Sequence, residues 1–274
     1  MHVATFAWNL PLALLTVVVW MALAFVVSRS RKRYATVDIF WGAGFLVIYL
    51  ESLAFAQSQL HPQLHGLAGG PAARLALLAV VALWSLRLSI YLALRQRGGE
   101  EDPRYRLILR GAKGRSETRF VLERIFGFQG LLMFLISLPL QAAAASTEFS
   151  NLAWVGIAVA LLGIAFESIG DAQLARFKAD PAHAGKTMDR GLWRYTRHPN
   201  YFGDATAWTG FYLVAASTGW GALTILSPVI MWWLLTSLSG KPLLEARLTK
   251  TRAGYDDYVA RTSSFLPWPP RRKA

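Results

Sequence analysis

Long apolar segments separated by short basic ones are the feature that most limits the folds open to this chain. A helix needs roughly 20 mostly apolar residues to cross the hydrocarbon core of a bilayer. Runs of this kind occupy residues 6–28, 36–57, 72–95, 120–142, 151–175, 202–217 and 220–238. Charged residues make up only 16% of the chain, against about 25% in soluble domains. The sequence therefore predicts an all-α, polytopic membrane protein: one domain over residues 1–274, built as a bundle of seven transmembrane helices.

The placement of the basic residues predicts the orientation of these helices. Lysine and arginine cluster after the first, third, fifth and seventh runs, whereas the opposite loops contain only Arg74. Because cytoplasmic loops carry the excess of basic residues, we expect the N-terminus outside and the C-terminus in the cytoplasm, in a bacterial inner membrane. The net charge of +13 then belongs to loops beside anionic lipid, and no nucleic-acid partner is expected. The chain has no cysteine, which excludes disulfides and thiolate metal sites.

The segment from Gly191 to Asp204 combines cations, aromatic rings, an amide and a carboxylate where a basic loop meets an apolar run. Arg197 and His198 are suited to binding phosphate or carboxylate, and Asn200 and Tyr201 add directional hydrogen bonds. A belt of Trp, Tyr and Arg at headgroup level is the alternative interpretation. A belt does not require the asparagine and the aspartate, so we favour a binding site.

Ionisable side chains within the apolar runs point to a polar cavity, because a charge in hydrocarbon costs at least ~2.5 kcal/mol near its centre. These side chains are Asp38, Glu51, Arg87, Glu123, Arg124, Glu167, Asp171 and Asp204. All except Glu51 fall toward the predicted cytoplasmic ends of the helices. Helix-end snorkelling explains Asp38, Glu123 and Arg124 equally well. The rest predict a cavity open to the cytoplasm.

Two helix faces carry much of this polarity. Trp84, Arg87, Tyr91 and Arg95 follow i, i+3, i+7, i+11 spacing and share one face. Glu167 and Asp171 lie one turn apart, and two carboxylates so close need arginines, ribose hydroxyls or a metal between them. We expect hydroxyls or arginines, because the five histidines show no ligand spacing on a helix.

Several stretches resemble the bacterial membrane proteins grouped with steroid 5α-reductases, some of which are filed as a domain of unknown function. The matching stretches span about 36–268 and are 37–42, 83–88 with Tyr91, 98–105, 191–204, 242–245 and 255–263. The C-terminal third is shared with a wider superfamily, so the N-terminal stretches make the resemblance specific.

This resemblance implies a seven-helix bundle that binds NADPH from the cytoplasm and reduces the C4=C5 double bond of a 3-oxo-Δ4-steroid. Asn200 and Asp204 resemble the family's cofactor-binding asparagine and downstream acid. Glu167 and Asp171 resemble its acidic pair on the fifth helix. The third-helix and C-terminal arginines of the family resemble Arg87 and Arg261, with a one-residue ambiguity between Arg261 and Thr262.

The catalytic residues follow the family pattern less closely. The animal enzymes polarise the steroid carbonyl with a second-helix glutamate and a third-helix tyrosine. Here Asp38 is the nearest acid, Trp84 aligns with the tyrosine position, and Tyr91 lies two turns further on. We therefore predict Asp38, Tyr91 and Trp84 as the catalytic set.

The remaining predictions concern the cofactor and the partners. We expect phosphate groups of NADPH to bind Lys186, Arg197, His198 and Arg261, with Tyr201 and Tyr255 as further cofactor contacts and no metal. The expected substrate is a steroid-like lipophilic enone that enters from the membrane lipid, and the expected state is a monomer.

Two other functions fit part of the sequence. The Arg197-His198-Pro199 form is shared with isoprenylcysteine carboxyl methyltransferases and phospholipid methyltransferases, which bind S-adenosylmethionine. Those enzymes resemble the chain only from its fourth or fifth run onward and commonly carry a Glu-Glu pair where this chain has the single Glu245. A non-catalytic lipid-binding or scaffold protein is the third interpretation.

Overall fold

The computed structural model of the chain describes residues 2–59, 72–98, 100–238 and 254–271, together with residues 245, 248, 249 and 252. Within these residues all the regular elements are helical. They are α1 (His2–Ser30), α2 (Val37–Gln59), α3 (Ala72–Arg95), α4 (Pro103–Leu109), α5 (Glu117–Ile136), α6 (Leu138–Ala144), α7 (Leu152–Ala179), α8 (Pro199–Ala216), α9 (Trp220–Leu238) and α10 (Tyr255–Arg261). Turns of π-helix occur inside α5, at Leu122–Gly127, and at the end of α9.

Five of these helices, α1, α2, α3, α7 and α9, are long and apolar enough to cross a membrane. A sixth span is added if α5 and α6, which meet at 43°, form one broken span. Pro139 lies in the first turn of α6, where its ring and its missing N–H interrupt the helix that would otherwise continue from α5. The chain is thus a helical, multi-pass membrane protein by the length and composition of its helices.

Helix α8 is the one predicted span outside this set, because its sequence is too polar. Yet none of its residues is exposed: all of residues 199–216 are buried or half-buried. A helix that is covered on all sides by protein need not be apolar enough to face lipid tails.

The chain divides into two compact units, which are described separately below. That the whole chain forms one domain stays a prediction. The first unit comprises Met1–Ala153 and Val214–Ser227. Its apolar core is crossed by a chain of polar side chains, in which Asn9 donates to Ser52 (2.9 Å) and to Gln141 (3.4 Å), and Gln141 donates to Ser137 (2.8 Å). Such interhelical hydrogen bonds hold helices together in lipid, where apolar contact alone provides little preference.

The start of α2 is fixed by the loop that precedes α4. The Glu101 carboxylate accepts from the backbone N–H groups of Tyr34, Ala35 (3.0 Å) and Asp102 (3.0 Å). Asp102 in turn caps α4 by accepting from the backbone N–H of Arg104 at 2.8 Å, with Pro103 in the first turn. Two stretches that carry the family resemblance, 37–42 and 98–105, are thereby held together.

The second unit comprises Trp154–Leu213 and Pro228–Ala274. In it, α7 and α8 approach backbone to backbone through small residues. A Cβ atom on Gly203 would overlap the backbone nitrogen of Glu167, and one on Gly163 would overlap that of Ala207. Small residues allow this close approach between helices in a membrane. The contact fixes the acidic end of α7 beside the first turns of α8.

Substituting Gly203 with alanine should destabilise the protein. In an ordinary helix, replacing glycine with alanine raises the free energy of unfolding by up to about 1 kcal/mol. Here the new methyl group meets helix backbone that cannot move aside, which lowers the free energy of unfolding by about 1–3 kcal/mol. We expect a lower midpoint of thermal unfolding for detergent-purified Gly203→Ala. Gly111→Ala is the control, because its Cβ would meet only the ring of Phe120, with two ring carbons at 3.3 and 3.9 Å. Equal midpoints for the two variants would show that α7 and α8 are not in close contact.

Candidate functional site

The loop between α7 and α8 folds back along the end of α7. The Trp193 indole donates to the backbone oxygen of Gly170 at 3.0 Å, and the Leu192 N–H donates to the Gln173 side chain at 2.9 Å. Gly191 has a φ of +58°, and a Cβ there would overlap the Gln173 amide. The tight turn at Gly191 therefore needs glycine for both its conformation and its space.

Residues 258–268 are hydrogen-bonded to the same loop. The Tyr258 hydroxyl donates to the backbone oxygen of Trp193 at 2.5 Å, and the Thr196 hydroxyl donates to that of Phe265 at 2.7 Å. Backbone bonds join Arg197 N to Ser263 O and Trp268 N to Tyr195 O, both at 2.9 Å. The two segments thus form one structure at the end of the membrane helices.

The Glu245 carboxylate lies at the centre of this structure, between Arg197 and His198. Arg197 donates to it through Nε (3.0 Å) and Nη2 (3.3 Å), and His198 Nε2 lies 2.8 Å from the same carboxylate. The other arm of Arg197 donates to the backbone oxygens of Val259 (3.1 Å) and Thr262 (3.0 Å). Four of the five N–H donors of a guanidinium are thereby used within the protein.

These contacts change the acidity of Glu245 and its neighbour Tyr255. Burial raises the pKa of Glu245, but hydrogen bonds from His198 and Arg197 outweigh it and lower that pKa to about 2. Burial, reinforced by the charge of Glu245, raises the pKa of Tyr255 to about 12. At neutral pH the site therefore contains an ionised carboxylate beside a neutral phenol.

A cleft of about 220 Å³ opens beside this ion pair. Its charged and aromatic lining consists of Phe177, Lys178, Asp180, His183, Lys186, Trp193, Arg197, His198, Arg252, Tyr255 and Tyr258. The rings of Phe177 and His183 are stacked with their centroids 4.3 Å apart. Four Lys and Arg side chains against one aspartate give the cleft, here called the α7–α8 cleft, a positive lining next to aromatic surfaces.

The acidic end of α7 is hydrogen-bonded to the first turn of α8. Asn200 Nδ2 donates to Asp171 Oδ1 at 3.2 Å, and Asp171 and Glu167 are both buried. The ring of Tyr201 stacks on His198 at 5.4 Å, and Asp204 is half-buried one turn further along α8. Of these residues only His198 lines the α7–α8 cleft.

Arg261 lies in a different place from the other predicted phosphate ligands. It pairs with Asp189 at 2.6 Å and with Asp257 at 3.4 Å, and it lines two neighbouring clefts rather than the α7–α8 cleft. Lys186, Arg197, His198 and Tyr255 do line the α7–α8 cleft together.

The predicted catalytic residues and Arg87 belong to the first unit. Asp38 accepts from Arg104 (2.9 Å) and Tyr105 (2.5 Å), and burial raises the pKa of Tyr105, with the Asp38 charge adding to the effect. Trp84 is fully buried, and Arg87 and Tyr91 are half-buried. The apolar, exposed face of α3 is not the face that carries Trp84, Arg87 and Tyr91. It is formed by Leu83, Leu86, Ile90 and Leu94.

Some site residues were not singled out by the sequence. Phe177, His183 and Arg252 line the cleft although their segments match no motif. Glu245 belongs to a matching stretch, but its contact with His198, 47 residues away in the chain, was not predicted. A single residue outside a motif gives no sequence pattern from which its contacts with distant residues can be predicted.

Comparison with known families comes down to one match. The model of the family DUF1295, described as a protein of unknown function, matches residues 24–262. The chain belongs to this family. No curated protein and no solved structure matches the chain. Membership fits the resemblance that the motifs carry, and it leaves the activity to be argued from the site.

Replacing Glu245 with glutamine should make the stability of the protein less dependent on pH. Because the folded-state pKa lies below the ordinary value, the carboxylate stabilises the fold above about pH 4.5 and loses this effect as the pH falls toward 2. We expect Glu245→Gln to unfold at a lower temperature than the parent at neutral pH. The difference should shrink on acidification. Exposed Glu148, changed to glutamine, is the matched control, and a difference that is the same at all pH values would contradict the assignment.

Proposed function

We propose that this protein is an NADPH-dependent reductase of lipophilic enones, with the C4=C5 double bond of 3-oxo-Δ4-steroids as the model substrate. The observation that carries the proposal is the α7–α8 cleft, with its positive lining and aromatic walls. We further propose seven membrane spans with the N-terminus outside. The absence of any exposed residue in α8 supports counting it as a span despite its polarity, and the basic loops support the orientation.

The chemistry of the cleft favours a phosphate-bearing nucleotide over S-adenosylmethionine. Lys178, Lys186 and Arg252 supply positive charge, which binds phosphate through charge-assisted hydrogen bonds. S-adenosylmethionine carries a sulfonium cation and one carboxylate but no phosphate, so a cationic lining favours it less than it favours a dinucleotide. The rings of Phe177 and Tyr255 provide flat surfaces against which a base can stack.

The size of the cleft limits what it binds. At about 220 Å³ it is smaller than the ~300–1,000 Å³ of typical ligand sites, so it suits one part of a dinucleotide, such as its phosphate-bearing adenosine half. Glu245 occupies the donors of Arg197 and His198 that a phosphate would otherwise use. We therefore assign phosphate binding to the lysines and Arg252, and assign Arg197 to holding Glu245 and residues 259–262 in place.

The chain's own residues have distinct roles in the proposed reaction. NADPH, when bound, would supply the hydride that adds to the β-carbon of the enone, and a proton from water would then add to the α-carbon to complete the saturated ketone. A phenol O–H that donates to the carbonyl oxygen stabilises the enolate charge that develops there, and Tyr91 is our choice for this donor. Both oxygens of Asp38 already accept from Arg104 and Tyr105. We therefore give Asp38 the role of holding α4 against α2.

The direct test is turnover by the purified protein in lipid nanodiscs. We expect NADPH oxidation that depends on progesterone and yields the 5α-dihydro product. Tyr91→Phe should lower turnover about 10²-fold or more while leaving the thermal stabilisation by NADPH unchanged. Methyl transfer from S-adenosylmethionine without NADPH oxidation would replace the proposal with a methyltransferase. If neither nucleotide raises the unfolding temperature, a non-catalytic protein is the conclusion.

Charge removal in the cleft tests the nucleotide site separately from turnover. Lys178→Ala and Lys186→Ala should each weaken NADPH binding by roughly fivefold to tenfold, because each removes one charge that faces phosphate. Arg176→Ala is the matched control: it removes a cation from the same end of α7, at a side chain that does not line the cleft. Binding is read from the NADPH dependence of the unfolding temperature. Equal effects at Arg176 and Lys178 would show that only the overall charge matters.

A further inference from the structure

The loop before α8 has an outward side that the α7–α8 cleft does not use. Trp193 and His198 face inward, whereas Arg194 and Tyr195 are exposed. Residues 266–271 lie beside that outward side, since Trp268 N donates to Tyr195 O and Arg271 N to Arg261 O, both at 2.9 Å. We call this the headgroup surface, and it consists of Arg190, Arg194, Tyr195, Leu266, Trp268 and Arg271.

The apolar part of the headgroup surface is unusually open. Tyr195 is 42% exposed, Leu266 57% and Trp268 70%. Pro267, Pro269 and Pro270 flank the tryptophan, and proline restricts the backbone so that the ring stays presented. An exposed tryptophan held beside a tyrosine and arginines is the composition of a membrane–water interface.

The depth of the headgroup surface along α7 places it at that interface. About 20 residues of a helix cross the hydrocarbon core, so about eight of the 28 residues of α7 extend beyond it. Counted from Leu152, the boundary falls near residue 172. The loop bonds to α7 at Gly170 and Gln173, so its outward side lies at headgroup level.

The charge of the headgroup surface suits an anion. Its arginines border a cleft of about 660 Å³ together with Arg261, Asp189 and Asp257. Arg261 is paired with both of these aspartates. In the part of the chain that the structure describes, no ion pair involves Arg190, Arg194 or Arg271. Three positive charges are therefore available to a ligand.

We propose that the headgroup surface binds the phosphate headgroup of an anionic phospholipid. The guanidinium groups of Arg190, Arg194 and Arg271 contact the phosphate, and Trp268, Tyr195 and Leu266 rest against the upper part of the acyl chains. A soluble anion would use the arginines but would gain nothing from the three exposed apolar side chains. The inference is independent of the proposed reductase activity, because it involves no residue of the α7–α8 cleft.

Lipid competition in nanodiscs tests this proposal. The protein is reconstituted in phosphatidylcholine alone or in an equimolar mixture with phosphatidylglycerol, and the lipid retained after detergent extraction is counted by native mass spectrometry. We expect the parent to retain phosphatidylglycerol selectively. The triple variant Arg190→Ala, Arg194→Ala, Arg271→Ala should weaken that selectivity by roughly tenfold or more, since each arginine near the membrane surface contributes to binding.

The matched control is Arg97→Ala, Arg110→Ala, Arg176→Ala, which removes three exposed arginines located elsewhere. Equal loss in the two triple variants would overturn the proposal, because the effect would then follow total charge. The unfolding temperature in phosphatidylcholine alone verifies that each variant is folded. If a triple variant fails to fold, its three single variants are measured instead. Each single variant of the headgroup surface must then lose more selectivity for phosphatidylglycerol than the single control variants do.

Two further measurements separate the membrane from a soluble anion. Brominated phosphatidylglycerol should quench tryptophan fluorescence more in the parent than in Trp268→Phe, with exposed Trp8 changed to phenylalanine as control. Inorganic phosphate added to phosphatidylcholine nanodiscs should not raise the unfolding temperature. A rise that depends on Arg190, Arg194 and Arg271 would show a soluble-anion site and would overturn the lipid assignment.

Discussion

The ion pair of Glu245 with Arg197 and His198 is the interaction on which the rest of the second unit depends. It joins three parts of the chain that are far apart in sequence: the loop before α8, the segment at Glu245, and residues 259–262 through the other arm of Arg197. Because all three side chains are largely out of water, removing either Arg197 or Glu245 leaves the other with an unmatched charge, which costs several times what an exposed pair contributes. The walls of the α7–α8 cleft are therefore fixed by an interaction that lies beside them.

The segment from Gly191 to Asp204 has two sides, and each of the two interpretations of its sequence describes one of them. Trp193, Arg197 and His198 line the α7–α8 cleft, as a binding site requires. Arg194 and Tyr195 are exposed, as an interfacial belt requires. Turns of 3-10 helix and bends produce this division, because they place successive side chains on different sides without a regular period.

The helices were predictable from sequence, and most of the site's pairings were not. Hydropathy located the helices that span, and Pro139 marked the bend between α5 and α6, because both depend on local composition. The pairing of Asn200 with Asp171 was within reach, since the family resemblance assigned both to one site. The pairing of Arg197 with Glu245 and the close backbone contact at Gly203 could not be predicted from the sequence, because both depend on how distant segments pack together. A single sequence carries no record of such encounters.

The polarity of α8 follows from the same packing that forms the site. A helix in contact with lipid must present apolar side chains, but α8 has no exposed residue. Gly203, Ala207 and Gly210 meet α7 at backbone distance. The hydroxyl of Thr209 accepts from the Trp232 indole at 3.1 Å, while Asn200 donates to Asp171. Packing against protein, which leaves no residue of α8 exposed, lowers the cost of an amide, a carboxylate and two threonines in this helix. Mean hydropathy fails to identify such a helix as a membrane span because it carries polar groups. The same polar groups, packed against protein, make the helix suited to a binding site.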